Sequence, residues 1–422
     1  MATRTISNTG GNYNATASWV EGIVPTSADD VVATATSGQL TINVTSAAST
    51  FNFTNYTNTL TLNNSTTWTV SGTGTQTFVS AMTINNIGTG QLTLNGNGAS
   101  IRTNGKLIPT LLISSSKTLL DTLNVVNINY GGATNTISGS YEVNISGNLT
   151  TGGNLISTTA TQSMVGTGNI TMSGGAMLCP FVINSSGTVT IGVNGLVFGA
   201  STIAGDFSIK YTSGTVSGTK LLRLNPLQTS STQVITLDTN ILQWDVVSYI
   251  DVMVSASTNT INLSSDLRFA RMSISTNHQN TNINTSSILF TGSGRLIGGI
   301  LLNTSQVSYL AIAGFFVEYS TSILKFTPGP THSLTDLQWS GLPTWQSIIR
   351  SSVTGSAASL DITSAAIPSI YTNFTDITNS GVTYYCIKGT ASGCVNITSN
   401  QSIQNLVTGG SASTGGSWTF IN

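Results

Sequence analysis

A Gly followed by a polar residue, an apolar residue, Thr or Ser and a second apolar residue recurs along the chain. It reads "GNLTT" at Gly147, "GNITM" at Gly168, "GTVTI" at Gly187 and "GDFSI" at Gly205, with related copies "GQLTI" at Gly38 and "GQLTL" at Gly90. The first four stand 21, 19 and 18 residues apart, and the copy at Gly147 ends in Thr151 where the others end in an apolar residue. A unit of this length holds one strong strand and its turns, too little to bury a face of its own. Copies that stack on one another would bury such a face, so the repeat points to a solenoid architecture.

Around the motif the pattern is strict alternation over short runs: "QLTINVT" (39–45), "TLTLNN" (59–64), "QLTLNG" (91–96), "NVVNINY" (124–130) and "YEVNIS" (141–146). Alternation rich in Thr, Val and Ile reads as half-buried strand. Helical spacing is hard to find, and "LTDLQWSGLPTWQSIIR" (334–350) is broken by Gly341 and Pro343. The expectation is an all-β parallel β-helix of ~20 to 24 residues per coil, hence roughly 17 to 20 coils. Inward side chains would stack at about 4.8 Å, Gly and Asn would supply positive-φ turn residues, and Asn, Ser and Thr would form hydrogen-bonded ladders. An array of β-sandwiches or barrels is the competing reading. The expected divisions are a cap or docking segment at 1–36, the solenoid at 37–326 and an irregular β-rich closing module at 327–422.

Charged residues are only 6% of the chain, against about 25% in ordinary globular proteins. The net charge of -1 and the apolar residues throughout exclude a disordered polyelectrolyte. The 13 Lys and Arg are dispersed, so no basic stripe for nucleic acid is present. No apolar run is long enough to suggest membrane insertion. The opening Met-Ala-Thr-Arg-Thr-Ile-Ser-Asn has no hydrophobic segment, so no signal peptide is expected, a leader already removed being the alternative. Cys179, Cys386 and Cys394 show neither metal-ligand spacing nor a disulfide framework; Cys386 and Cys394 would bridge or sit as two small buried residues.

A stacked fold exposes strand edges at its ends, which must be capped. The stretch "SWVEGIVPTSADDVV" (18–32) has the residues of a cap. Trp19 would form a lid, Pro25 would refuse edge pairing, and Asp29 and Asp30 would place repulsive charge where another strand could add. With the alternating "FNFTNYTNTLTL" (51–62), it resembles the opening of right-handed parallel β-helix proteins of tailed-phage virions and bacterial surfaces. "LKFTPGPTHSLTDLQWSG" (324–341), "IIRSSVTGSAASLDI" (348–362), "YTNFTDITNSG" (371–381) and "GGSWTFIN" (415–422) are similar to the closing module of that group. The resemblance covers about a third of the chain, through motifs that are structural. It implies a right-handed, single-stranded β-helix serving as a virion or surface component, and it brings no catalytic residues.

Glycan-cleaving enzymes on such scaffolds need paired carboxylates, about 5 to 9.5 Å apart in hydrolases. Most of the 14 carboxylates stand alone, and Asp29 and Asp30, adjacent on a strand, would face opposite ways. The densest region, 238–274, holds Asp238, Asp245, Asp251, Asp266, Arg268 and Arg271. Asp245 and Asp266, about one coil apart, are candidates to stack near Arg268, with surface ion pairs of small worth as the bland reading. His278 and His332 lie in Asn/Thr-rich and Pro/Gly-rich stretches and are expected to be solvated. Asn-x-Ser/Thr triplets are what so Asn-rich a chain yields by chance. No catalytic, cofactor-binding or metal-binding residue is singled out, and no cofactor is expected.

The resulting expectation is a non-catalytic β-helical spike, fibre or surface decoration of a virion, assembled in the host cytoplasm. Its partners would be other virion proteins, further copies in a homotrimer, and host surface glycans. A tailspike-like polysaccharide depolymerase is the alternative, and a bacterial adhesin or ice-binding solenoid the second.

Overall fold

The computed structural model describes residues 1–157 and 159–199, and beyond them 206–224, 233–239, 242–253, 258–277, 286–303, 322–338, 347–363, 369–370, 372–379, 384–387, 391–392, 395–396 and 403–406. The alternating runs become strands, and each strand pairs in parallel with one from the next turn of chain. Among the described residues, the one helical element is the 3-10 turn Thr16–Ser18. The chain is thus all-β with parallel sheets. It divides into two compact units: Met1–Gly195 with Thr212–Thr219, and Leu196–Tyr211 with Lys220–Asn422.

In the first unit, one sheet runs through Thr3–Thr5, Asp30–Val32, Thr50–Asn52, Gln76–Thr77, Ala99–Arg102, Lys117–Leu119 and Asn135–Ser138. Leu155–Ile156 and Met177–Leu178 continue it. A second sheet stacks Gly11–Asn12, Leu40–Ile42, Thr59–Leu62 and Thr83–Asn86. A third stacks Ser46–Ala48, Thr67–Val70, Gln91–Leu94, Leu107–Ile113 and Leu123–Tyr130.

The third sheet then departs from one strand per coil. Leu123–Tyr130 faces two short strands, Val143–Ile145 and Leu149–Thr151. These pair with Gln162–Met164 and Gly168–Met172, and both of those meet the long strand Pro180–Ile191. The six strands close into a ring of pairings, because two long strands each span a pair of short ones. A plain single ladder does not describe this level.

The second unit repeats the parallel plan with longer strands. One sheet holds Leu196–Phe198, Leu221–Leu224, Gln243–Met253, Leu267–Asn277, Leu296–Asn303, Thr331–Gln338, Ala358–Ile362, Ile377–Asn379 and Val395–Asn396. Its register shifts at four of these pairings. The other main sheet runs through Gln233–Asp238, Thr258–Leu263, Ser286–Gly292, Ser322–Phe326, Ser347–Ser351, Thr372–Thr375 and Ala391–Ser392. A small sheet joins Ser369–Ile370, Tyr384–Ile387 and Ile403–Leu406.

The core is a set of stacked columns. Trp68, Leu92, Leu111, Ile128, Leu149, Ile170 and Ile191 follow one another in register on successive rungs, and all are buried. Burying each such side chain is worth about 1.5 to 3 kcal/mol. Near the start the column broadens into an aromatic cluster in which Phe51 lies 5.1 Å from Phe53, 5.4 Å from Trp68 and 4.7 Å from Phe78. The spacing between stacked partners is uneven: 20 residues from Asp30 to Thr50, 28 from Asp206 to Val234 and 36 from Leu296 to His332. With intervals so unequal, the repeat fades in the C-terminal half of the sequence.

Candidate functional site

The N-terminal stretch is the first place to look for chemistry, and its carboxylates are all engaged. Asp29 Oδ2 accepts from the Thr26 amide and hydroxyl, both at 3.0 Å, and Oδ1 accepts from the Ala2 amide at 3.2 Å. Arg4 Nε stands 3.5 Å away. These bonds, the Thr26 amide foremost, hold its carboxyl down at about 2. Asp30 faces the other way and accepts from the Thr50 hydroxyl at 2.6 Å. The opposed directions agree with strand alternation, so the pair is no catalytic dyad.

Edge protection falls to other atoms than the sequence suggests. Asp30–Val32 is paired on both sides, by Thr3–Thr5 and Thr50–Asn52, so the aspartates do not stand at an open edge. The outer side of Thr5 is covered by chain that folds back over it. Its carbonyl accepts from the Val20 amide at 2.8 Å and its amide donates to Glu21 Oε2 at 2.8 Å, while Ile6 and Trp19 form an antiparallel bridge. Trp19 is buried, donates from Nε1 to the Tyr13 carbonyl at 2.9 Å, and packs edge-on against Tyr13 at 5.1 Å. The lid is real, and Glu21 with residues 18–20 makes it.

The second candidate, Asp245 with Asp266 and Arg268, is not assembled as a site. Register sets Gln243 against Arg268 and Trp244 against Phe269. Asp245 instead binds back to the preceding coil, accepting from the Lys220 amide at 3.2 Å. Asp266 binds forward: Arg295 Nη2 donates to its Oδ2 at 2.6 Å, Arg295 Nε reaches both oxygens at 3.2 Å, and Arg268 lies 3.6 Å away. The Arg295 bonds hold the Asp266 carboxyl below the usual carboxylate range. Arg295 is exposed and Arg268 half-buried, so these are surface pairs of modest worth. The side chains of Asp251, Arg271 and His278 lie outside the described residues, as do those of Cys386 and Cys394 and the terminal "GGSWTFIN".

His332 overturns the expectation of a solvated ring. It is 2% exposed in Thr331–Gln338, its Nδ1 accepts from the Leu296 amide at 3.0 Å, and its ring sits 5.1 Å from Phe326. Burial pulls its pKa down to about 4, against a smaller opposing pull from Asp266. Its Nε2 has no partner. Pro and Gly nearby in sequence mark the preceding turn, and alternation with Leu334 in "THSL" was the missed signal for an inward side chain.

Further buried polar groups are structural. Lys117 is 1% exposed, and its Nζ donates to the carbonyls of Gly96, Ser115 and Ser116 and to the Ser115 hydroxyl. Desolvation lowers its pKa to about 8. Tyr130 donates to Gln162 Oε1 at 2.7 Å inside the core, and burial pushes the free thiol of Cys179 up to about 12. A thiol so raised is protonated and inert.

What the outer surface does carry is an ordered polar ladder. Asn86 Nδ2 donates to Thr110 Oγ1, the Asn148 amide donates to Asn127 Oδ1, the Asn169 amide donates to Asn148 Oδ1, and Thr190 and Ser217 share a hydroxyl bond at 3.0 Å. Register carries the column from Thr110 to Asn127 and from Asn169 to Thr190. No group of three or more His, Cys, Asp or Glu able to hold a metal occurs among the described residues. Among those residues, no helix is long and apolar enough to cross a membrane. No family model, curated protein or solved structure matches the chain.

Proposed function

We propose that the chain is a single-stranded, right-handed parallel β-helix that serves as a non-catalytic surface component of a virion, a spike, fibre or decoration. The observation that carries this reading is the combination of stacked parallel rungs with carboxylates consumed in structural bonds. Asp29, Asp30, Asp245 and Asp266 each hold a neighbouring segment in place, which leaves a scaffold with an outward face of Asn, Thr and Ser. Right-handedness follows from the general preference of parallel crossovers. Such a surface is sparing in charge and suits weak, many-point contact with surface glycans, where avidity stands in for affinity. Side-by-side copies, three in the expected assembly, would bury lateral strips of the rungs.

The test is mass spectrometry of purified particles against the lysate of the producing cells. The chain is expected to co-purify with particles in fixed stoichiometry; recovery from the cell fraction alone would sink the proposal. The runner-up, a polysaccharide depolymerase, predicts product from capsule or lipopolysaccharide substrates and loss of that product in Asp245→Asn. With Asp29, Asp30, Asp245 and Asp266 bonded as above, no product is expected from either protein. An ice-binding role, the remaining alternative, would appear as thermal hysteresis.

A further inference from the structure

In the second unit, Lys325 and Arg350 occupy the same outward position on successive rungs, paired directly across the parallel ladder in Ser322–Phe326 and Ser347–Ser351. The alternate residues Leu324, Phe326 and Ile349 are buried, so the two cations point away from the core. Adjacent strands lie about 4.8 Å apart, which brings two positive side chains alongside each other. Like charges directly opposite on paired strands are destabilising. The column continues through Leu289 before the pair and Thr375 after it, and neither supplies a counter-charge. Among the described residues, no carboxylate stands within ion-pair distance of Lys325 or Arg350, whereas Arg268 and Arg295 share Asp266. Both cations are half-buried rather than extended into water, and the neighbouring Ile323 is only 8% exposed.

We propose that Lys325 and Arg350 together bind a tetrahedral oxyanion, a sulfate or phosphate group free in solution or esterified on a polysaccharide. Two donors from adjacent rungs match two oxygens of one such group. Arg offers a planar fork and Lys a compact charge, the usual division of labour around phosphate and sulfate. The aliphatic surround of Leu289, Ile323 and Ile348 limits competing water and strengthens the charge contact. The Lys325 ammonium is held below its ordinary value first by burial and then by Arg350, which is the penalty an anion would lift. A chain with 13 Lys and Arg in 422 residues that places two of them in register has concentrated a scarce resource. The site stands whether or not the protein belongs to a particle.

The experiment is calorimetric titration of the full chain with inorganic sulfate, inorganic phosphate, dextran sulfate and uncharged dextran, for wild type, Lys325→Gln, Arg350→Gln and Arg295→Gln. Wild type is expected to bind at least one sulfate or phosphate probe and not uncharged dextran, with affinity falling as salt rises. Lys325→Gln and Arg350→Gln should each weaken binding about tenfold or more, in line with loss of one charged hydrogen bond, while Arg295→Gln binds as wild type. Binding of the inorganic ions identifies a free anion as sufficient; binding of dextran sulfate alone identifies a polymer-borne ester. Lys325→Gln and Arg350→Gln each also relieve the like-charge contact between paired positions, so their melting temperatures without anion should equal or exceed that of wild type. No binding by wild type, or equal weakening by Arg295→Gln, would overturn the assignment.

Discussion

At the residue scale, the buried polar groups act as fasteners. Asp29 closes its own turn and ties down the N-terminal strand, Lys117 gathers carbonyls inside the coil, and His332 caps the Leu296 amide across 36 residues. His332 carries a testable consequence. Its folded pKa of about 4 lies below the unfolded value of about 6.5. The unfolded chain therefore binds the extra proton first, and stability is lost as pH falls from about 6.5 towards 4, by something of order 2 to 3 kcal/mol. Gln keeps an acceptor for Leu296 and does not titrate. In urea titrations at pH 7 and pH 4.5, His332→Gln should lose measurably less stability than wild type; parallel losses would refute the buried neutral ring.

At the scale of the element, the recurring glycine finds a reason different from turn geometry. Gly147, Gly168 and Gly187 have no positive φ. A Cβ at Gly168 would lie 1.9 Å from the Gly147 carbonyl oxygen, and one at Gly187 would lie 2.1 Å from Thr167 Oγ1. The motif therefore marks where one strand's segment lies close against the preceding one, most tightly at Gly168, where the neighbouring atoms are backbone. Gly168→Ala is expected to destabilise by about 1 to 3 kcal/mol or more through overpacking, read as a lowered denaturation midpoint. Asn148→Ala, which removes only the acceptor for the Asn169 amide, should cost about 1 kcal/mol. The repeat was legible as a period because the contact is made once per coil. Its cause was not, since a Gly needed for close approach and a Gly needed for positive φ are the same letter.

At the scale of the whole molecule, the scarcity of charge means that stability rests on columns of buried side chains and ladders of neutral hydrogen bonds. Among the described residues there are three ion-paired contacts, involving Asp29 and Asp266. Surface pairs are the part of a protein that salt weakens, with the screening length falling to about 3 Å at 1 M. The melting temperature is therefore expected to change little between about 0.1 and 1 M sodium chloride. A fall of many degrees would show that unpaired charges carry more of the fold than the contacts indicate. The carboxylate candidates fare as this economy requires: Asp245 and Asp266, about one coil apart in sequence, turn in opposite directions along the stack. Sequence interval does not set direction, because the intervals between paired positions differ along the chain.

The sequence by itself determined that the chain is all-β, built of short strands recurring at a near-regular interval; that these strands pair in parallel was an expectation the structure decided. The strands and their interval are local consequences of period-two alternation and of the short repeat. Only the tertiary structure decided what each charged or titratable residue faces: that Glu21 rather than Asp29 and Asp30 covers the open edge, that His332 points inward, and that Lys325 and Arg350 share a column. Facing depends on register between coils, and register is set by the sum of all strand contacts, which no single stretch of sequence contains.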